Sequence, residues 1–421
     1  MITLNNKATE FVASNEQLCL DRFKQIDEIE MHNQLKVLNA FNKAGLAERH
    51  FIGSYGYGHG DIGKEITNEI FATIFNTESA IASPMLTCGT ATISHALLGI
   101  LRPNDLMLCV SGTPYDTLKD VLFGIDGTDN GSLKDFGIKY DQIDLIDNGF
   151  DIPKILEYLY EHNVKMLYVQ RSRGYEWRNA ISIKQMKELF TLVRINSPST
   201  IIVVDNCYGE FVETLEPTDV GASLVMGSMI KNIGGGIAPT GGYVAGKEYL
   251  INMIACHLFS PALGIDSGSY SEGYKLILQG LFVAPHVVAQ AKKIAVLTSQ
   301  CLNTLGYDTI PSKDDIMSDI VCSIKFGEPD TLIKFCRCIQ QCSPVDSNTL
   351  LEPSEMSGYA DKIIMASGSF NQGSSIELSC DAPIREPFIA YLQGSLSYTH
   401  GKIALTYALQ RTFEAKLYEL D

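Results

Sequence analysis

Ile201-Ile202-Val203-Val204-Asp205 and Ser228-Met229-Ile230-Lys231-Asn232-Ile233-Gly234-Gly235-Gly236, whose lysine follows that aspartate by 26 positions, decide how this chain folds. Each is a short apolar run that ends in an ionisable group and then a turn. In an open α/β sheet such groups emerge at the carboxyl ends of the strands, where ligands bind. A lysine and a carboxylate delivered there by adjacent strands are the pair that holds pyridoxal phosphate, the lysine as Schiff base and the carboxylate on the pyridine nitrogen. Taken singly, each has a plainer explanation: a solvated lysine at a strand end, an aspartate capping the next helix.

Working outward, further apolar runs alternate with helical patterns: Ala80 to Ser83, Leu106 to Ser111, Met166 to Gln170, Ser223 to Ser228 and Gly242 to Ala245. This alternation predicts an α/β fold, a mostly parallel sheet with helices on both faces. Before it, Leu18, Phe23, Ile26, Leu35, Leu38 and Phe41 recur at helical intervals and predict an N-terminal arm over 14–47. The glycine-rich stretch from Gly53 to Gly63, with Tyr55, Tyr57, His59 and Asp61, suits backbone lying against a ligand or another subunit. After a long helix over 270–305, strands at 320–326, 362–366 and 375–379 and helices at 331–341 and 403–416 predict a smaller α+β unit. The expected division is 1–60 for arm and interface segment, 61–290 for the large cofactor domain and 291–421 for the small domain.

The chain has 421 residues, 45% hydrophobic, enough for two cores. A formal net charge of −16 and the lack of a basic cluster argue against nucleic acid or an anionic membrane as partner. The N-terminus lacks a signal pattern and no apolar stretch looks long enough to span a bilayer, so the cytoplasm is the expected location. Eleven cysteines without framework spacing read as reduced thiols. Cys336, Cys338 and Cys342 lack a fourth ligand at metal spacing, and no metal is expected.

Three more segments end strands and would converge on the same sheet edge. Cys88-Gly89-Thr90-Ala91-Thr92 opens a helix whose first N–H groups suit a phosphate. Tyr115, in Ser111-Gly112-Thr113-Pro114-Tyr115-Asp116, could stack on a flat ring. Gln170-Arg171-Ser172-Arg173-Gly174-Tyr175 adds polar groups, Ser172 among them, and Ser228 could give one more hydrogen bond to phosphate.

With GYGYGHGDIG (from Gly53), CGTATISHAL (from Cys88), SGTPYDTL (from Ser111), QRSRGYEWR (from Gln170), VDNCYGEFVE (from Val204), GSMIKNIGGGIAPTGGYVAGK (from Gly227) and ELSCDAPIREP (from Glu377), the chain resembles fold-type I pyridoxal-phosphate enzymes. Within them it is similar to the methionine gamma-lyase-like or aluminium-resistance proteins, relatives of cystathionine beta- and gamma-lyases. The resemblance implies a seven-stranded sheet, pyridoxal 5′-phosphate as cofactor, and a homodimer or homotetramer sharing active sites across the interface. It implies Lys231 as Schiff-base lysine, Asp205 on the pyridine nitrogen, Tyr115 stacked on the ring, and Gly89, Thr90, Ser172 and Ser228 around the cofactor. Tyr57 would reach a neighbouring subunit's phosphate, and Arg385 would fix the substrate carboxylate. Two departures stand out: Ile230 replaces a frequent phosphate-binding Thr or Ser, and no arginine follows Tyr57 in a Tyr-x-Arg pattern.

The activity so implied is carbon–sulfur bond cleavage in a cystathionine- or methionine-type amino acid, by β- or γ-elimination through an external aldimine and an α-carbanion. Two other classes remain open at this level. An aminotransferase or aldol-type lyase would return pyridoxamine phosphate or an aldehyde, and a non-catalytic binding protein would turn nothing over.

Overall fold

The computed structural model describes residues 1–125, 128–356 and 359–419. Its large sheet has seven strands: β1 (Ser79–Ser83), β2 (Leu106–Cys109), β3 (Lys139–Gln142), β4 (Val164–Gln170), β5 (Ile201–Asp205), β6 (Leu224–Ser228) and β7 (Gly242–Gly246). They lie in the order β1-β7-β6-β5-β4-β2-β3. The pairs from β3 through β6 are parallel, while β7 runs antiparallel to both β6 and β1. Period-2 alternation explains the layers. Met166, Tyr168, Ile201, Val203 and Met226 face the helices over 89–100 and 248–258. Leu167, Val169, Ile202 and Val204 face those over 152–161 and 183–196. The last of these starts with a reciprocal cap, in which Gln185 N donates to Ser182 Oγ at 3.3 Å and Ser182 N donates to Gln185 Oε1 at 2.9 Å.

The second sheet is antiparallel throughout and contains β8 (Asp308–Ile310), β9 (Val321–Lys325), β10 (Ile363–Ala366), β11 (Ser379–Pro383) and β12 (Ile389–Gln393), in the order β10-β11-β12-β9-β8. Helices Pro329–Gln341 and Tyr398–Thr412 cover it. The helix Lys275–Thr304 belongs to both bodies: Leu278, Leu281 and Ala284 pack under the large sheet, and Leu297, Cys301 and Leu302 pack in the small core. Among the described helices it alone is long and apolar enough to cross a membrane, and it is mostly buried in the protein.

Three sequence expectations are corrected. The strand placed over 375–379 starts only at Ser379, because the preceding residues form a tight turn in which Phe370 N and Asn371 N donate to the Glu377 carboxylate at 2.9 and 3.2 Å. The last helical region is two helices, Tyr398–Thr412 and Glu414–Glu419. The arm is likewise two helices, Asn6–Gln17 and Leu20–Ala44, and the first buries Ala8 and Val12 in this chain's own small core. Gly45, at φ 65°, ends the second.

Candidate active site

Adjacent strands β5 and β6 carry the two deciding residues to one edge. Asp205 is the last residue of β5 and pairs in register with Met226 of β6. After Ser228 the chain turns, Lys231 N donating to Ser228 O at 3.3 Å, and a single 3-10 turn over Asn232–Gly234 follows. The glycines are required there: a Cβ at Gly234 would sit 1.6 Å from Met229 O, and Gly235 has φ 55°.

The segment after Asp205 is held by an arginine from β4's end. Arg171, fully buried, donates to Asn206 Oδ1, Gly209 O and Glu213 Oε1, each at 2.8 Å, and to Ile181 O at 3.3 Å. This clamp surrounds Tyr208, which sits at φ 71°, a conformation that costs a non-glycine residue about 1–3 kcal/mol and persists where its surroundings fix it. The reward is placement: Lys231 Nζ lies 4.2 Å from the Tyr208 ring centroid.

The electrostatics follow from burial. Asp205 is 2% exposed, and desolvation raises its pKa although Lys231 and the Cys207 N–H, 3.1 Å from Oδ1, oppose the rise. For Lys231 desolvation alone would depress the ammonium, but Cys207, Tyr208, Asp205 and Tyr115 outweigh it and hold the pKa well above its usual value. Burial also pushes up the Tyr115 phenol, whose oxygen lies 3.1 Å from Thr90 Oγ1. Burial also holds Asp381, another residue lining the same crevice, up at about 7.

Lys231, Asp205, Tyr115, Gly89, Thr90, Ser172 and Ser228 all line one cavity of 260 Å³, so seven residues from five separate segments meet. They fit pyridoxal phosphate on structural grounds. Ser228 Oγ is buried without a hydrogen-bond partner, an expense that an incoming phosphate oxygen would remove. The Gly89 and Thr90 N–H groups, at the start of the helix Gly89–Ile100, meet no acceptor among the described residues. A Cβ at Gly89 would lie 3.5 Å from Cys207 Sγ and Ser228 Cβ and 4.0 Å from Lys231 Nζ, so the glycine keeps open the hollow between them.

Two further candidate residues lie outside this crevice. Arg385 does not face the crevice: it is half-exposed in an ion pair with Asp361, Nη1 to Oδ2 at 3.0 Å, because β11 ends at Pro383 and the loop after it turns to the surface. Tyr57 is 68% exposed, stacked on His59, and lines no part of its own chain's crevice. Arg173 and Arg178 are also committed away from it, Arg173 to Asp319 at 3.0 Å and Arg178 to the Ser172 carbonyl at 2.7 Å. Among the described residues lining the crevice the sole cation is Lys231. A larger hollow of 660 Å³ beside the helix Ile62–Ile74 includes none of the converging residues.

Sequence reasoning missed Tyr208, Asp381, Tyr175, Tyr359 and Gln393, all crevice-lining. A signal existed for Asp381: placed on a strand beginning at Ser379, it alternates out of step with Cys380 and Ala382, which are buried in the small core. Tyr208 carried none, since its role depends on a backbone conformation that tyrosine rarely adopts.

A family model, methionine gamma-lyase, matches residues 8–413. The solved structure of a carbon–sulfur lyase involved in aluminum resistance from Clostridium novyi NT superposes with a TM-score of 0.93 at 45% identity, covering 97% of this chain and 96% of that one. A candidate cystathionine beta-lyase involved in aluminum resistance from Listeria monocytogenes superposes equally, with a TM-score of 0.93 at 42% identity over 96% of this chain and 100% of the other. At 16% identity and a TM-score of 0.62, over 93% of this chain and 97% of that one, the pyridoxal-5′-phosphate-dependent protein YhfS of Escherichia coli shares the fold alone. The fold is that of fold-type I pyridoxal-phosphate enzymes, and the chain belongs to the methionine gamma-lyase family.

Proposed function

We propose that the protein is a pyridoxal-phosphate-dependent carbon–sulfur lyase that cleaves a cystathionine- or methionine-type amino acid by β- or γ-elimination, releasing a thiol, a 2-oxo acid and ammonia. The observation that carries this reading is the meeting of Lys231, Asp205 and Tyr115 in one crevice with the open Gly89–Ser228 cradle.

The Gly89 and Thr90 N–H groups and the Ser228 hydroxyl would hold the phosphate, Asp205 the ring nitrogen, Tyr115 and Ser172 the ring's surroundings, and Lys231 the aldehyde carbon. When bound, the cofactor supplies an electron sink that makes a substrate α-proton acidic. Asp205, an ionisable group with no exit to water, keeps a proton on its partner nitrogen by opposing its loss electrostatically. Lys231 Nζ is the group within the crevice able to take the proton from substrate Cα, and it must first become neutral. The substrate's amine would take over the aldehyde carbon, and Lys231, so displaced, would be left as a neutral amine.

The protein would act in the cytoplasm as a homodimer or homotetramer. Supporting this, the arm helix Leu20–Ala44 leaves Met31, Leu35 and Leu38 exposed, as the glycine-rich segment leaves Tyr55 and Tyr57. A crevice with one cation also needs further groups for phosphate and carboxylate, and a second copy's Tyr57 would supply one.

The test is product analysis of protein supplied with pyridoxal phosphate and offered cystathionine, methionine, cysteine and homocysteine in turn. Thiol, 2-oxo acid and ammonia in equal amounts are expected from at least one. Formation of pyridoxamine phosphate or an aldehyde in their place would overturn the reading.

A further inference from the structure

We infer that Asp381 is the acid that hands a proton to the departing sulfur, a role that rests on the lyase reading above. On β11 its neighbours Cys380 and Ala382 point into the small core, so Asp381 turns the other way, into the crevice that holds Lys231. Oδ2 accepts from Tyr175 Oη at 3.3 Å and from Gln393 Nε2 at 3.1 Å. Oδ1 takes no hydrogen bond from any described residue, and no lysine or arginine forms an ion pair with this carboxyl.

A carboxyl partly out of water, with only neutral donors for company, is stabilised in its protonated form. The groups that face it agree. Tyr175, Tyr208 and Tyr359 lie around it, Tyr391 packs on Tyr175 with ring centroids 5.1 Å apart, and Lys231 is the cation among the described residues lining the crevice. Burial accordingly holds Asp381 at about 7, and a proton leaving such an acid for an alkylthiolate, whose thiol has a pKa of about 8.5, moves downhill. Tyr115 is the weaker candidate: its hydroxyl is shared with Thr90 and burial pushes it upward.

The step balances. As the carbon–sulfur bond breaks, its electron pair goes to sulfur, and the proton on Asp381 Oδ1 bonds to that sulfur. A neutral thiol leaves, and the carboxylate regains a proton from water.

The experiment compares two substrate conjugates of the holoenzyme: S-ethyl and S-(2-nitrophenyl) derivatives of cysteine, with the homocysteine pair as the γ-elimination equivalents. Nitrophenylthiolate is a good leaving group without a proton, whereas ethylthiolate is not. Asp381→Asn keeps the shape and should lose about 100-fold or more in kcat/KM on the ethyl conjugate while staying within about threefold on the nitrophenyl one. Equal losses on both, or no loss on either, would overturn the role of Asp381 and leave the lyase reading standing. Wild-type protein that releases thiol from none of the four overturns the lyase reading and the inference with it. Cofactor absorbance monitors folding. Should Asp381→Asn not fold, Asp381→Glu decides, because it retains an acid at a displaced position: a loss confined to the ethyl conjugates supports the role, and an equal loss on both refutes it.

Discussion

Replacing Arg171 with leucine should unfold the site before it touches any reacting group. Arg171 is fully buried and spends its guanidinium on Glu213, Asn206 Oδ1 and the Gly209 carbonyl, all at 2.8 Å. Removing one partner of a buried charge pair costs about 3–5 kcal/mol, since the other groups lose their donors without gaining water. Unfolding entropy near 2.1 cal/mol/K per residue over 421 residues comes to roughly 0.9 kcal/mol/K, so that loss lowers Tm by about 3–6 °C. The same change releases Tyr208 from φ 71° and thus from its place 4.2 Å from Lys231 Nζ. Activity should therefore fall in the folded variant too, with kcat reduced more than KM rises. Arg385→Ala is the control: its pair with Asp361 is half-exposed and worth under about 1 kcal/mol, which predicts a Tm shift within about 1 °C and unchanged kinetics. Thermal melts of both variants, with kinetics below the transition, decide the matter. Equal Tm shifts for Arg171→Leu and Arg385→Ala, with full activity in both, would refute the clamp.

Gly89→Ala should fold normally, since its Cβ meets nothing closer than 3.5 Å, yet bind pyridoxal phosphate more weakly because the methyl enters the cradle; fluorescence titration of the cofactor checks it. Glu210, fully buried with Oε2 unpartnered, is held by burial at about 8, above its usual 4.5. Between those values the folded chain keeps a proton that the unfolded chain has released, so stability falls as pH rises through the window. Wild-type Tm should drop between about pH 5 and 8 more than that of Glu210→Gln, measured in paired melts. Mixing inactive Tyr57→Ala and Lys231→Ala proteins should restore part of the activity through one intact site per hybrid dimer, and mixtures as inactive as their parents would count against shared sites.

The crevice's pair Asp205 and Lys231 could be read from the sequence because each ends an apolar run. The runs before Asp205 and Lys231 are buried throughout as β5 and β6, and the register of the sheet then fixes the pair. β3 and β8 were missed because Lys-Tyr-Asp-Gln and Asp-Thr-Ile are short, half-exposed edge strands without an apolar signature. β12, buried at every residue, was hidden because Pro383 and Pro387 just before it mark a loop. Arg385 was implied by the resemblance, and its surroundings in the fold were not legible from the sequence. The direction of its loop depends on where β11 lies, and with a strand at 375–379 in place of Ser379–Pro383 the alternation that turns Asp381 toward the crevice cannot be seen.

The 30-residue helix from Lys275 to Thr304 has a mechanical consequence. Where two lobes are joined by a loose tether, either can melt while its neighbour stays intact. Here one continuous rod contributes Leu278 and Leu281 to one interior and Leu297 and Leu302 to the other. Fraying at one end strips apolar contacts from the body in which it began and shortens the support of the next, so loss of order in either half spreads along the rod. A cut made between the halves would divide one helix and leave each fragment with a raw apolar stripe. The joint is thus a shared load path between the two halves that line the crevice.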